Sequence, residues 1–458
     1  MVQLNLTINK ERALLVILVA ISIMAIDSTF VKYFATSDKE LTTPMYVGIF
    51  ITFTMLFVGI VIVLLNFAKI KHSDFRLKGG MVVKNSYLII SLTQYSLIGI
   101  LVAIILQIVL FKSYNILSLS AAVYISHISA LFFLILLALT LVEWIKTRRN
   151  KILSLYAISF SLTAFAIMTS LIYAIYVLTY QSSFIKPYPI RVFLYSLPRS
   201  DLAISFGTIL DIVSVSSFVL VWIASAVLLS AYGNRMGKLK YWVIISIPLV
   251  YFLFPFETYL PNILEPLAIS SLVKVLFFGA TKQIGALFFS LAFVAASTLI
   301  TKHDIQKYLL ISAVGIAMLF GSIEIDSLLF AVYPPFGLVT ISFMPMGAYL
   351  LFIGISLSAT FVARDKEVRK EFYKTAISQL DLLKTIGVTQ MEKELMDVHK
   401  SVEKFKSSLG TKEPRMQRDN IREVLDNVLD EMDKDNVREI LHDVLSELYS
   451  KTGRKSVK

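Results

Sequence analysis

The sequence predicts an all-α fold: a polytopic α-helical membrane bundle of about ten transmembrane helices, with a helical cytoplasmic tail. Three observations lead there. The 458-residue chain is 56% hydrophobic and only 17% charged, with a mean hydropathy of +0.73; soluble domains carry about 25% charge. Its apolar residues are gathered into runs of roughly 20, the length that crosses a bilayer as a helix, whose backbone satisfies its own hydrogen bonds there. The residues after the last run change character, with 20 Lys/Arg against 19 Asp/Glu over 364–458.

Ten runs fit the crossing length: 12–34, 44–67, 86–111, 116–142, 152–180, 203–231, 241–256, 276–300, 308–332 and 338–362. The first follows Lys10 and Arg12 as a signal sequence would. Its apolar core exceeds the ~7–15 residues of a cleaved signal, so a retained first span is expected. Lysine and arginine then alternate between loops. One side collects 16, including Lys69, Arg76, Lys146, Arg149, Lys238, Lys240 and Lys307; the other collects 8. The positive-inside rule makes the richer side cytoplasmic and places both termini there, in a cell-membrane protein. The segment 257–283, with Pro261, Glu265, Pro266 and Lys274, reads as interfacial or re-entrant. The 181–202 loop reads as an interfacial lid or a plain connector.

The last two runs organise the chain. They flank the turn Tyr333-Pro334-Pro335-Phe336-Gly337 and end on Arg364, Lys366, Arg369, Lys370 and Lys374. Residues 1–363 form the transmembrane domain, and 364–410 hold a juxtamembrane segment and a heptad helix. The heptad seam is Val388, Met391, Leu395, Val398, Val402, Phe405 and Leu409, a coiled-coil pattern; an amphipathic helix packing on its own hairpin is the alternative. A linker spans 411–418. Residues 419–450 repeat with a period of 16, and eight of 14 compared positions are identical between the copies starting at Asp419 and Asp435. Each copy starts at a capping Asp and carries one apolar stripe, giving two short helices in a hairpin. Such a unit is too small to bury a core alone and needs a partner protein or self-association. Residues 451–458 form a disordered basic end.

Charge and residue types exclude several functions. The net charge of +12 arises in short loops of the membrane part, 24 Lys/Arg against 13 Asp/Glu over 1–363. It therefore reports topology and contact with the lipid bilayer, and nucleic acid is not an expected partner. The chain has no cysteine, which removes thiolate metals, iron–sulfur clusters and disulfides. No P-loop, HExxH, GxSxG or kinase signature occurs. No cofactor, no metal and no catalytic residue is expected.

Ionisable residues inside spans are costly and mark packing locks or functional sites. Asp27, Asp211, Lys282 and Glu324 fall at similar depth, roughly 10–12 Å below one edge at 1.5 Å per residue, with Asp326 slightly shallower. His127 lies a little deeper, Ser214 shares a face with Asp211, and Pro345 frees the Ile341 carbonyl in the same layer. These residues form the candidate polar cluster. One reading is structural, with buried acids paired to lysine or backbone; the other is an outward-facing cavity for a small solute or ion. His127 without cysteine or a second histidine reads first as a packing histidine.

The run Glu324-Ile325-Asp326, the stretch Tyr333 to Thr340, Tyr349-Leu350, Gly354-Ile355 and Leu383 to Glu392 resemble a group of archaeal multi-pass membrane proteins of unknown function. The resemblance covers about a sixth of the chain, within 324–394, and implies membrane location and a cytoplasmic tail without any activity. Two function classes are compatible with the residues. The first is a non-enzymatic receptor or scaffold coupling an outer cavity to the tail. The second is a secondary transporter using intramembrane carboxylates.

Overall fold

The computed structural model describes residues 10–36, 44–78, 81–147, 151–179, 184–185, 201–249, 271–298, 303–323, 333–364 and 389–390. The described chain is almost entirely helical. Its elements are α1 (Lys10–Thr36), α2 (Pro44–Lys78), α3 (Met81–Phe111), β1 (Tyr114–Asn115), α4 (Ile116–Thr147), α5 (Lys151–Thr179), β2 (Phe184–Ile185), α6 (Asp201–Met236), α7 (Lys238–Ser246), α8 (Ser271–Thr298), α9 (His303–Ile323), α10 (Leu338–Ser342) and α11 (Met344–Arg364). Every expected run falls on helix, at least in its described part. Residues 257–270 lie outside the described residues, and 271–283 belong to the helix α8. The expected tail elements also lie outside them, apart from residues 389–390.

Seven helical segments among the described residues are long and apolar enough to cross a membrane: Pro44–Lys69, Asn85–Phe111, Ile116–Lys146, Lys151–Thr179, Ser205–Ser230, Ile305–Ile323 and Leu338–Val362. The chain divides into two compact units, one of Met1–Ser358 with Ala376–Leu382 and one of Ala359–Thr375 with Leu383–Lys458. The first unit holds α1 to α10 and most of α11.

The hairpin α9–α11 sits at the centre of the first unit. The apolar stretch of Leu338–Val362 is 100% buried and that of Ile305–Ile323 is 89% buried, against 28% for Asn85–Phe111 and 33% for Pro44–Lys69. The outer helices turn large apolar side chains outward, among them Leu56, Leu88, Leu92, Leu106 and Phe111. An exposed apolar belt of this extent is what a lipid-facing surface presents.

Glycine makes the central pairing possible. A Cβ on Gly347 would lie 2.6 Å from the Leu319 nitrogen and 3.0 Å from the Gly315 oxygen, and one on Gly315 would strike the Leu351 nitrogen. One on Gly354 would strike the Ser312 hydroxyl. The two backbones therefore touch along α9 and α11, the small-residue approach by which helices pack where lipid removes the hydrophobic driving force. Aromatic edges close the outside of this core: Phe50 and Phe57 of α2 meet Phe336 and Phe343, and Phe133 of α4 meets Tyr349.

The run expected over 338–362 is two helices. Phe343 interrupts it, and its N–H turns back to the Thr340 carbonyl at 3.1 Å. Pro345, which brings no N–H, opens α11 from its second position, where a missing donor costs least.

Three chain reversals share one end of the bundle. β1 pairs antiparallel with β2, Tyr114 opposite Ile185 and Asn115 opposite Phe184. Tyr114 stacks on Tyr333 of the proline turn, with centroids 6.3 Å apart and planes 16° from parallel. Asn115 starts α4 by accepting the Leu117 N–H at 2.9 Å, while its own N–H donates to Gln107 at 2.7 Å. Burial pushes the Tyr114 phenol well above the ordinary tyrosine range, and the Tyr333 phenol beside it adds to the shift.

Candidate functional site

The proline turn needs a partner because it launches a helix in a buried place. Gly337 has φ +89°, a left-handed conformation that glycine adopts without strain. The chain then enters α10, whose first N–H groups have no acceptor within the helix. Asp27 of α1 supplies one. One carboxylate oxygen accepts the Gly337 N–H at 2.9 Å; the other accepts the Thr340 N–H at 3.0 Å and the Thr340 hydroxyl at 2.7 Å. Asp27 is fully buried. It does what an N-cap side chain does, from a helix more than 300 residues away in sequence. Three donors on one carboxylate also answer the desolvation that a buried acid suffers.

Two glutamines grip the same hairpin. Gln94 of α3 donates to the Ser342 carbonyl at 3.4 Å, next to the helix break. Gln283 of α8 donates to the Gly321 carbonyl near the end of α9 at 3.1 Å. Both side chains are buried, and among the described residues neither amide oxygen has a donor. Gly321 admits this contact: a Cβ there would lie 2.9 Å from the Gln283 oxygen and 2.6 Å from the Met24 methyl. The hairpin is thus held by polar atoms of α1, α3 and α8, all directed at its backbone.

The members of the expected cluster have distinct surroundings. His127 is buried on α4; its Nδ1 donates to the Val123 carbonyl at 2.8 Å, and its Nε2 lies 3.3 Å from the Ser170 hydroxyl of α5. In neutral imidazole that second nitrogen accepts. Asp211 is exposed on α6, and Ser214 is half-buried one turn on. Lys282 falls in the α8 backbone, and its side chain lies outside the described residues, as do Glu324 and Asp326 entirely. Among the described residues, no three acidic or histidine side chains gather at metal-binding range.

Apart from Asp27, the residues of this grip were not in that cluster. Gln94, Gln283, Gly337 and Thr340 carry no charge, so a search for ionisable residues passes over them. The available signal was a glycine and a threonine three apart after a double proline. No protein-family model, no curated protein and no solved structure matches the chain.

Proposed function

We propose that this protein is a non-enzymatic receptor or scaffold of the cell membrane, with ten crossings and both termini in the cytoplasm. One observation carries the reading. The enclosed hairpin joins a turn held by Asp27 at one end of the bundle to α11, the last described helix before residues 365–458. A ligand or partner that altered the turn would bear directly on the helix that leads to the tail. The helix is closely packed along its apolar length, so strain at the turn is transmitted along it.

The directions of the described helices support the reading of ten crossings. The reversals at 112–115, 184–185 and 333–337 share one end. The hydrogen bonds of Trp222 to the Ile245 carbonyl and of Tyr241 to the Ala226 carbonyl, both 2.8 Å, run α7 back antiparallel along α6. That return supports the crossing expected over 241–256, and α8 lies beside α6, with Phe218 against Phe289. The lysine and arginine distribution favours the opposite end as cytoplasmic.

The test compares hydrogen exchange of residues 365–458 in the full-length wild type and in Asp27→Asn. The receptor reading expects altered tail protection in the variant and a partner captured through the tail in cells. Unchanged tail exchange overturns it. A second reading has its own support: a helix broken at Phe343 beside a buried carboxylate is the pattern on which secondary transporters build binding sites. Proton- or sodium-driven solute uptake into vesicles, lost in Asp27→Asn and Asp211→Asn, would favour that transporter.

A further inference from the structure

The helix α7 begins at the edge of the apolar band. Gly237, with φ +88°, bends the chain out of α6. The apolar run of α6 gives way to Asn234 and Arg235, and that of α5 follows Lys151. Two bonds fix the level of α7 against both. Tyr156 of α5 meets the Ser225 hydroxyl at 3.5 Å, and Tyr241 of α7 donates to the Ala226 carbonyl one residue on. Counting outward from these bonds, Lys151 and Lys238 come level with the last apolar turn of α6, the height of lipid headgroups.

The face that α7 turns away from α6 has a defined pattern. Tyr241 and Ile245 point inward, Ile245 being 1% exposed. At 100° per residue, Leu239 and Val243 then point outward. They are 80% and 59% exposed, and Trp242 beside them is 60% exposed. Lys238 falls one turn before Trp242 on one flank of this stripe, and Lys240 falls on the other. Both lysines are exposed. No acidic residue occurs in the first turn. The arrangement is therefore an apolar strip bracketed by two cations at headgroup height, with an indole beside them.

We propose that this face binds an anionic phospholipid. Lys238 and Lys240 hold its phosphate-bearing headgroup, and an acyl chain lies along Leu239, Trp242 and Val243. Charge complementarity selects the occupant. A zwitterionic lipid would bring its own cation to two lysines, and a protein partner would have to displace lipid from an apolar strip inside the bilayer. Lysine stems lie along apolar surface while their ammonium groups reach the headgroups, and each contributes roughly a 5-fold preference for anionic lipid. The site requires the membrane reading and is independent of the choice between receptor and transporter.

Trp242 gives a direct readout. Trp144 is 1% exposed and Trp222 is half-buried, so Trp242 is the tryptophan open to lipid. The full-length protein is reconstituted in vesicles of phosphatidylcholine and phosphatidylglycerol, with bromine on the acyl chains of one lipid at a time, and tryptophan quenching is compared. Brominated phosphatidylglycerol is expected to be enriched at Trp242 by about 5-fold or more over brominated phosphatidylcholine at equal mole fraction. Lys238→Gln with Lys240→Gln brings the two to parity, and Lys238→Arg with Lys240→Arg keeps the preference. Trp242→Phe removes the differential signal. Equal quenching in the wild type, a preference that survives the glutamine pair, loss of the preference in the arginine pair, or a differential signal that survives Trp242→Phe each overturns the proposal.

Discussion

The central hairpin and the outer helix α2 are both apolar, and α2 is the more apolar of the two. Yet the hairpin is enclosed, and only 33% of the apolar stretch of α2 is buried. In water the more apolar helix would be the one inside. In lipid, apolarity confers no preference for the interior, because the surroundings are equally apolar. The hairpin has what α2 lacks. Its glycines bring two backbones into contact, and its turn and helix ends are hydrogen-bonded by Asp27, Gln94 and Gln283. Gly48, Gly59 and Gly99 of the outer helices have open space where a Cβ would go. Close approach and backbone capture decide the centre of this bundle, and hydropathy only decides membership.

The comparison breaks most sharply at Gly347. Leucine there would force α9 and α11 apart over their whole contact, because the obstacle is the backbone of Leu319 and Gly315 and no side chain can swing clear. Overpacking commonly costs ~1–3 kcal/mol, and more where backbone must move, so Gly347→Leu is expected to destabilise by at least ~3 kcal/mol. The same change at Gly59 should fall within ~1 kcal/mol. Unfolding midpoints of the two variants in one detergent measure the contrast. Equal midpoints would mean that the close approach is not what holds the centre.

Asp27→Ala comes next. It leaves the Gly337 N–H, the Thr340 N–H and the Thr340 hydroxyl buried without an acceptor. Each unsatisfied buried group costs ~1–3 kcal/mol, partly recovered if water enters. A loss of ~3 kcal/mol is expected, together with faster hydrogen exchange at the amides of Gly337 and Thr340. Asp27→Asn keeps acceptor capacity on one oxygen and should lose about half as much. Alanine tolerated without loss would leave glycine packing as the sole basis of the hairpin's position.

Much of this was legible in the residues. The run expected over 86–111 falls within Met81–Phe111, and that over 44–67 within Pro44–Lys78, because a stretch of ~20 apolar residues has one stable form in lipid. The importance of the last hairpin was readable from its turn and its basic stop, and Pro345 marked the place where α10 and α11 separate. The partner of Asp27 was not readable. A buried acid had to have one, but two of its three donors are backbone N–H groups, which every residue except proline carries, and the third is one threonine hydroxyl among many, so only the spacing of Gly337 and Thr340 after the double proline hints at them. The glycines show the same limit. Gly59 and Gly315 are identical in sequence and differ only in what faces them. The seven-residue spacing of Gly347 and Gly354 was the one signal, since it puts both on a single helix face.

A smaller effect tests whether the enclosure extends to the hairpin's end. Tyr114 is fully buried against Tyr333, and its phenol is pushed up by that burial. Its ordinary value is 10.0. Below that pH neither the folded nor the unfolded chain ionises it, so its contribution is fully present. Above it the unfolded chain releases the proton and the folded chain keeps it, so stability falls as pH rises. The slope is at most ~1.4 kcal/mol per pH unit for this group. Unfolding midpoints from neutral pH to beyond 10 in wild type and Tyr114→Phe should diverge in slope above the ordinary tyrosine value and run parallel below it. Parallel curves throughout would mean that water reaches the turn and the enclosure stops short of it.

The smallest expected effect lies on the outer helices, and its sign matters. Gly59→Ala places a methyl where nothing lies within 4 Å, so no contact is lost and none is strained. What remains is the backbone: glycine inside a helix is less favourable than alanine by ~1 kcal/mol in water, and by less where lipid already enforces the helix. A slight stabilisation is therefore expected at Gly59, while alanine at Gly315, whose Cβ meets backbone, is expected to destabilise. Opposite signs for one substitution in two apolar helices would trace the difference to the neighbour each glycine faces. A destabilising Gly59→Ala would instead mean that α2 faces another protein surface through that glycine, which crosslinking at position 59 would detect.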